Sequence, residues 1–144
     1  MLKKRMTYED FNGDSRTEDF WFHMSEVDLM EMDTKYPGGM QGFIQKMIDT
    51  KDSAEMFKLA KDIIEMSYGQ KSLDGRTFEK SPEITRSFTQ TQAYVDLFME
   101  IGSDAEKASE FIKGIMPAKV VAAALAHAKE EGNNDAILAL NGNN

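Results

Sequence analysis

The stretch Phe20-Trp21-Phe22-His23-Met24-Ser25-Glu26-Val27-Asp28-Leu29-Met30-Glu31-Met32 contains a change of apolar period, and that change decides the fold. Phe20, Phe22 and Met24 alternate with Trp21 and His23, the period-two pattern of a half-buried strand. From Ser25 onward the spacing becomes helical, with Val27, Leu29, Met30 and Met32 forming an apolar stripe. Ser25 and Asp28 make a capping box with Asp in place of the usual Glu, so the helix starts directly after Met24. A strand that passes straight into a helix predicts an α+β chain.

Upstream, Leu2, Met6 and Tyr8 alternate more weakly, and Asn12-Gly13-Asp14 supplies a turn. A two-residue Asn12-Gly13 loop sets Lys3 and Arg5 opposite Phe22 and Phe20. A three-residue loop over 12–14 instead brings Leu2, Met6 and Tyr8 onto the face of Phe20, Phe22 and Met24, and is preferred because it keeps apolar residues on one side.

Downstream, the first helix ends near Tyr36-Pro37-Gly38-Gly39. Phe43, Ile44, Met47 and Ile48 mark a second helix. A third, capped by Asp52 or Ser53, carries Met56, Phe57, Ala60, Ile63 and Ile64 inward, with Gly69 as its stop. Residues 70–80 form either a loop or a small second hairpin around Asp74-Gly75. Ser81-Pro82 opens a fourth helix with Ile84 and Phe88 inward. Ala93, Tyr94, Leu97, Phe98 and Ile101 form a fifth, ended by Gly102. Ala105, Ala108, Phe111, Ile112 and Ile115 form a sixth, which Pro117 stops. The expected fold is α+β and mostly α-helical, an N-terminal β-hairpin packed on a bundle of about six helices. Phe20, Phe22 and Met24 are expected to face Phe57, Ile63 or Ile64.

Residues 118–128 hold six alanines with Val120, Val121 and Leu125. That composition predicts a good helix former with little to bury, and flanking Asn and Gly favour a loose end. The expected organisation is one domain over 1–117, with the hairpin at about 1–24 and the helical part at 25–117, followed by an Ala-rich C-terminal helix and flexible tail over 118–144.

The chain has 144 residues, no cysteine and a net charge of −8. This length suits a single domain with a real core. Without cysteine there are no disulfides, thiolate nucleophiles or Cys-based metal sites, which fits a reducing cytosol. Residues 8–33 carry nine acids and one base, so this stretch accounts for the whole imbalance. No broad basic face exists to bind a phosphate backbone, which argues against nucleic acid. No run of about 18 apolar residues could span a bilayer, and no apolar segment follows Lys3-Lys4-Arg5 as in a signal peptide, so a soluble protein without a membrane partner is expected.

Residues that could carry chemistry stay isolated. His23 and His127 are far apart in sequence and lack metal-ligand spacing. Glu18 and Asp19 are adjacent on a strand and point to opposite faces, so they share no site. Asp10, Asn12 and Asp14 mimic the start of a calcium loop, but Gly13 is not at its sixth place and Trp21 stands where the twelfth needs Glu. No nucleophile elbow or Ser-His-Asp set is present. No catalytic residue, cofactor or metal is therefore expected. The eleven methionines are unusual. Most suit the core, and the rest suit a pliable binding surface, which favours a partner-binding protein over an enzyme.

The passage YEDFNGDSRTEDFWFHM over 8–24, Ser25-x-x-Asp28-Leu29 and Gly38-Gly39 resemble the start of the tail assembly chaperone family of long-tailed (siphovirus-type) bacteriophages. The resemblance continues through Ser67-Tyr68-Gly69-Gln70-Lys71-Ser72, Asp74-Gly75-Arg76-Thr77-Phe78, Gln90-Thr91-Gln92-Ala93-Tyr94, Leu97-Phe98-Met99-Glu100 and ASEFIKGIMP over 108–117. It covers about residues 7–117 in order, while 118–144 matches nothing assignable. It implies a non-catalytic chaperone in the host cell cytoplasm that binds the tape measure protein, helps recruit the major tail (tube) protein, and is not expected in the mature virion. Self-association as an oligomer is a further possibility. The candidate partner-binding residues are Met30, Met32, Met40, Val120, Val121 and Leu125. The rival readings are a virion structural protein of the tail or head–tail connector, and a small enzyme.

Overall fold

In the computed structural model, which describes residues 1–118, the N-terminal alternation forms β1 (Leu2–Glu9) and β2 (Ser15–Phe22). The two strands pair antiparallel, Leu2 opposite Phe22 and Tyr8 opposite Arg16. Leu2, Met6, Tyr8, Phe20 and Phe22 share the inner face as expected, but the register differs by two residues from that of a 12–14 loop, because the loop is Phe11-Asn12-Gly13. Gly13 takes the left-handed conformation, φ 85°, required at the last position of such a three-residue loop. A 12–14 loop would have put Asp14 there. The Asp10 carboxylate completes the turn by accepting from the Asn12 and Asp14 N–H groups and from Arg16 Nε, at 2.9, 3.0 and 2.6 Å. The triplet that mimicked a calcium loop is therefore a turn, and the Arg16 guanidinium followed by these amides holds the Asp10 carboxyl below its usual range.

Ser25 then caps α1 (Glu26–Lys35) through a reciprocal box with Asp28. Next come α2 (Gly39–Asp49) and α3 (Ser53–Ser67), the latter capped by Asp52. Gly69, expected to stop α3, is itself a strand residue. It lies in β3 (Tyr68–Lys71), which starts immediately after α3 and pairs with β2, Trp21 opposite Gly69. β4 (Phe78–Glu79) pairs with β3, so residues 70–80 form the small hairpin and the sheet order is β1-β2-β3-β4. The chain closes with α4 (Pro82–Thr89), α5 (Gln92–Ser103) and α6 (Ala105–Ile115), capped by Ser81, Thr91 and Asp104. Six helices and a four-stranded antiparallel sheet make up the described residues. Gly102 does not end α5. It sits inside the helix because a Cβ there would lie 2.4 Å from the Phe57 ring.

The last three helices, not α3, cover the inner face of the sheet. The Phe22 ring is fully buried, 5.2 Å from Phe111 of α6 and 5.7 Å from both Phe88 of α4 and Tyr68 of β3. Phe20 meets Phe88 at 5.1 Å. The expected hairpin partner Phe57 instead stacks on Phe98 of α5 at 5.2 Å, while Ile63 and Ile64 join the common core. The reason is topological: α3 runs directly into a strand of the sheet, so its end meets the sheet's end and leaves the face to the helices that follow β4. Lys4 reaches Glu100 of α5 at 3.1 Å and ties β1 to that layer.

Candidate functional site

The junction read first in the sequence is also where the elements converge. His23 N–H donates to Ser67 C=O at the end of α3, and Met24 N–H donates to Ile115 C=O at the end of α6, both at 2.8 Å. The strand-to-helix switch is thus clamped between two helix C-termini, which present carbonyls lacking helical partners. Ser67 Oγ turns back onto Ile63 C=O at 2.6 Å, so a buried hydroxyl is satisfied within its own helix. His23 Nδ1 is buried without a hydrogen-bond partner, and its ring meets Phe78 edge-on at 6.1 Å. Desolvation, with help from the N-terminal ammonium and Lys80, holds the imidazole below its usual pKa.

Beside this clamp, a cleft of about 360 Å³ opens between α1, the last turn of α3 and the start of α4. Met24, Met32 and Met66 line it, with Asp28, Glu31, Glu65, Lys35, Lys80, Ser81 and Thr85 around them. Lys80 fixes one wall by reaching Asp28 and the Met66 carbonyl, both at 2.9 Å. Burial disfavours the Asp28 carboxylate, but the Ser25 amide and Lys80 outweigh it and leave its pKa lowered. Met24 and Met32 are buried at 1% and 2% exposure and form the floor, and Met66 is half-buried, so the cleft has a polarizable thioether floor beneath a mouth of mixed charge. A larger groove of about 620 Å³ near Tyr36 and Asp62 has a mostly polar and charged lining and offers less apolar grip.

The nominated residues separate. Met32 lines the floor of the cleft at 2% exposure. Met40, at the start of α2, is buried in the core. Met30 stands on the outer side of α1 at 68% exposure, near Val27 at 64%. Of these three, then, only Met30 offers its own surface. The buried face of α1 is narrower than its apolar spacing predicts, because a ten-residue helix lying on one side of the molecule buries only part of its circumference. Val120, Val121 and Leu125, like His127, lie outside the described residues. Met66 was not nominated. Its approach to Met24 depends on the pairing of Phe22 with Tyr68, a long-range contact that no local pattern encodes.

Among the described residues, no group of three His, Asp or Glu side chains is placed to hold a metal ion, and no helix is long and apolar enough to cross a membrane. A family described as phage tail assembly chaperone matches residues 1–142, and the chain belongs to that family. The match runs past residue 117, where the resemblance read from the sequence stopped, and takes in most of the Ala-rich segment. Members are non-catalytic assembly factors, and membership implies partners among the proteins of the phage tail. No curated protein and no solved structure matches the chain.

Proposed function

We propose that this chaperone holds the tape measure protein during tail assembly, gripping a helical segment of it in the Met24–Met32–Met66 cleft, and that it helps bring tube subunits to the complex. The observation that carries this reading is the cleft itself: a floor of the buried Met24 and Met32 with the half-buried Met66 beside them, flanked by Asp28, Glu31 and Glu65 and next to the exposed Val27 and Met30. A tape measure is a long helical chain prone to aggregate, and an amphipathic helix laid into an apolar groove is a common way to hold one. Met30 supplies apolar surface at the rim, Met32 forms the floor, and Met40 supports α1 from within the core. Val120, Val121 and Leu125 are proposed as a second anchor from the segment after Pro117. The protein acts in the host cell cytoplasm and leaves before the particle is complete.

Co-expression with tape measure fragments tests this reading. The expected result is a soluble fragment that co-purifies with the chaperone, with capture reduced in a Glu31→Lys/Glu65→Lys variant that still unfolds at the wild-type temperature. A chain ending at Pro117 should keep a cooperative thermal transition while capture falls. Capture that survives the cleft variant but is lost on Val27→Ser/Met30→Ser would move the site to the outer face of α1. Recovery of the protein from purified virions at the copy number of a ring would favour a tail or connector subunit instead.

A further inference from the structure

β1 is the end strand of the sheet, eight residues long, and nothing among the described residues pairs with its outer edge. Which of its backbone groups face that edge follows from the ladder. Asp10 N–H donates to Asp14 C=O across the hairpin, and His23 N–H donates away from it, to Ser67. Hydrogen-bonding direction alternates residue by residue along a strand. The even-numbered residues of β1 therefore bond to β2, leaving the N–H and C=O groups of Lys3, Arg5, Thr7 and Glu9 on the open edge. Their side chains are exposed as well.

Such an edge invites pairing, and natural sheets usually discourage it with charge, lysine above all. Lys3 and Arg5 do so here for most strands, but the other end of the strand reads Tyr8-Glu9-Asp10. The edge is basic at one end and acidic at the other, so it is complementary to itself when reversed. We propose that a second copy of the chain adds its β1 antiparallel to this edge, about a two-fold axis at Met6, to form a continuous eight-stranded sheet. In that register Lys3 stands opposite Glu9 of the second copy and Arg5 opposite Thr7, both as hydrogen-bonded pairs, and Met6 meets Met6. All open-edge amides and carbonyls of the four residues find partners, and each base-to-acid pairing occurs twice by symmetry. A second copy added parallel in register would set the basic end against itself, which destabilises cross-strand pairs. Edge pairing alone covers less than the about 800 Å² per partner of a standard interface, so the dimer is expected to be weak, micromolar or above in dissociation constant.

Sedimentation velocity of the full chain from micromolar to millimolar loading tests this. The expected result is a concentration-dependent dimer that Lys3→Glu or Glu9→Lys each weakens by about tenfold, and that the double variant Lys3→Glu/Glu9→Lys restores. Thr7→Pro, which removes an amide that β2 does not use, should give a folded monomer. A wild-type chain that stays monomeric throughout, or a dimer indifferent to both single reversals, overturns the proposal. So does a monomer whose capture of a tail protein is lost on Thr7→Pro, because the edge then belongs to a strand of that protein.

Discussion

The inner face of β2 and the apolar stripe of α1 are neighbours in sequence and similar in apolar content, yet they end in different environments. Phe20 and Phe22 enter an aromatic cluster with Tyr8, Tyr68, Phe88 and Phe111, packed edge to face or tilted at ring distances of 5.1–6.2 Å. On α1, Met32 is buried while Val27 and Met30 face outward, and the adjoining cleft is lined by thioethers. Rings have few rotamers and a directional preference, whereas thioethers have neither restriction to the same degree. Aromatic rings thus fill the space beneath the sheet, whereas α1 leaves Val27 and Met30 as apolar surface beside a thioether-floored cleft.

The sharpest way to break this comparison is Phe22→Ala. The ring is fully buried among three others, so truncation should cost about 3–5 kcal/mol, read as a lower denaturant midpoint with an unchanged slope. An unchanged midpoint would mean that the aromatic cluster does not anchor the sheet. Two methionines of α1 then sharpen the other side. Met32→Ala should cost about 2–4 kcal/mol because it opens a cavity, whereas Met30→Ser should stay within about 0.5 kcal/mol and show its effect in tape measure capture. Equal losses from both would erase the distinction between floor and rim. Ser25→Ala removes one half of the capping box at the boundary between the two regions, for an expected loss of about 1 kcal/mol.

The smallest effect is a pH slope. His23 is held below its ordinary pKa of 6.5, so the unfolded chain takes up a proton more readily than the folded one. Its contribution is fully present above that value and declines as pH falls through it toward the lower folded value. Stability should therefore fall between neutral pH and about pH 5, where a histidine titrates. His23→Gln should flatten the slope, as followed by thermal unfolding across that range.

The legible parts of the fold were local. Capping at Ser25, Asp52 and Ser81 set three helix starts, and alternation set the face of each hairpin residue, whereas the Thr91 cap of α5 emerges only in the structure. The candidate site was legible only in part. A richness in methionine pointed to it, but Met66 was missed and Met40 was nominated from the core, because burial on a helix depends on which sides find neighbours.

By itself the sequence determined the N-terminal hairpin, the order of the six helices, the inward residues of the hairpin, the α+β class and the family, since turn, cap and period signals act within a few residues of one another. Only the tertiary structure decided the rest. The register of β1 on β2 came from the one loop position that needs a left-handed glycine. The covering of the sheet by α4–α6 came from the direct passage of α3 into β3. The cleft came from a strand end clamped between Ser67 and Ile115. The last two rest on contacts between residues distant in sequence, whose energies depend on packing that no local pattern contains, whereas the register turns on which of two local loops the backbone adopts.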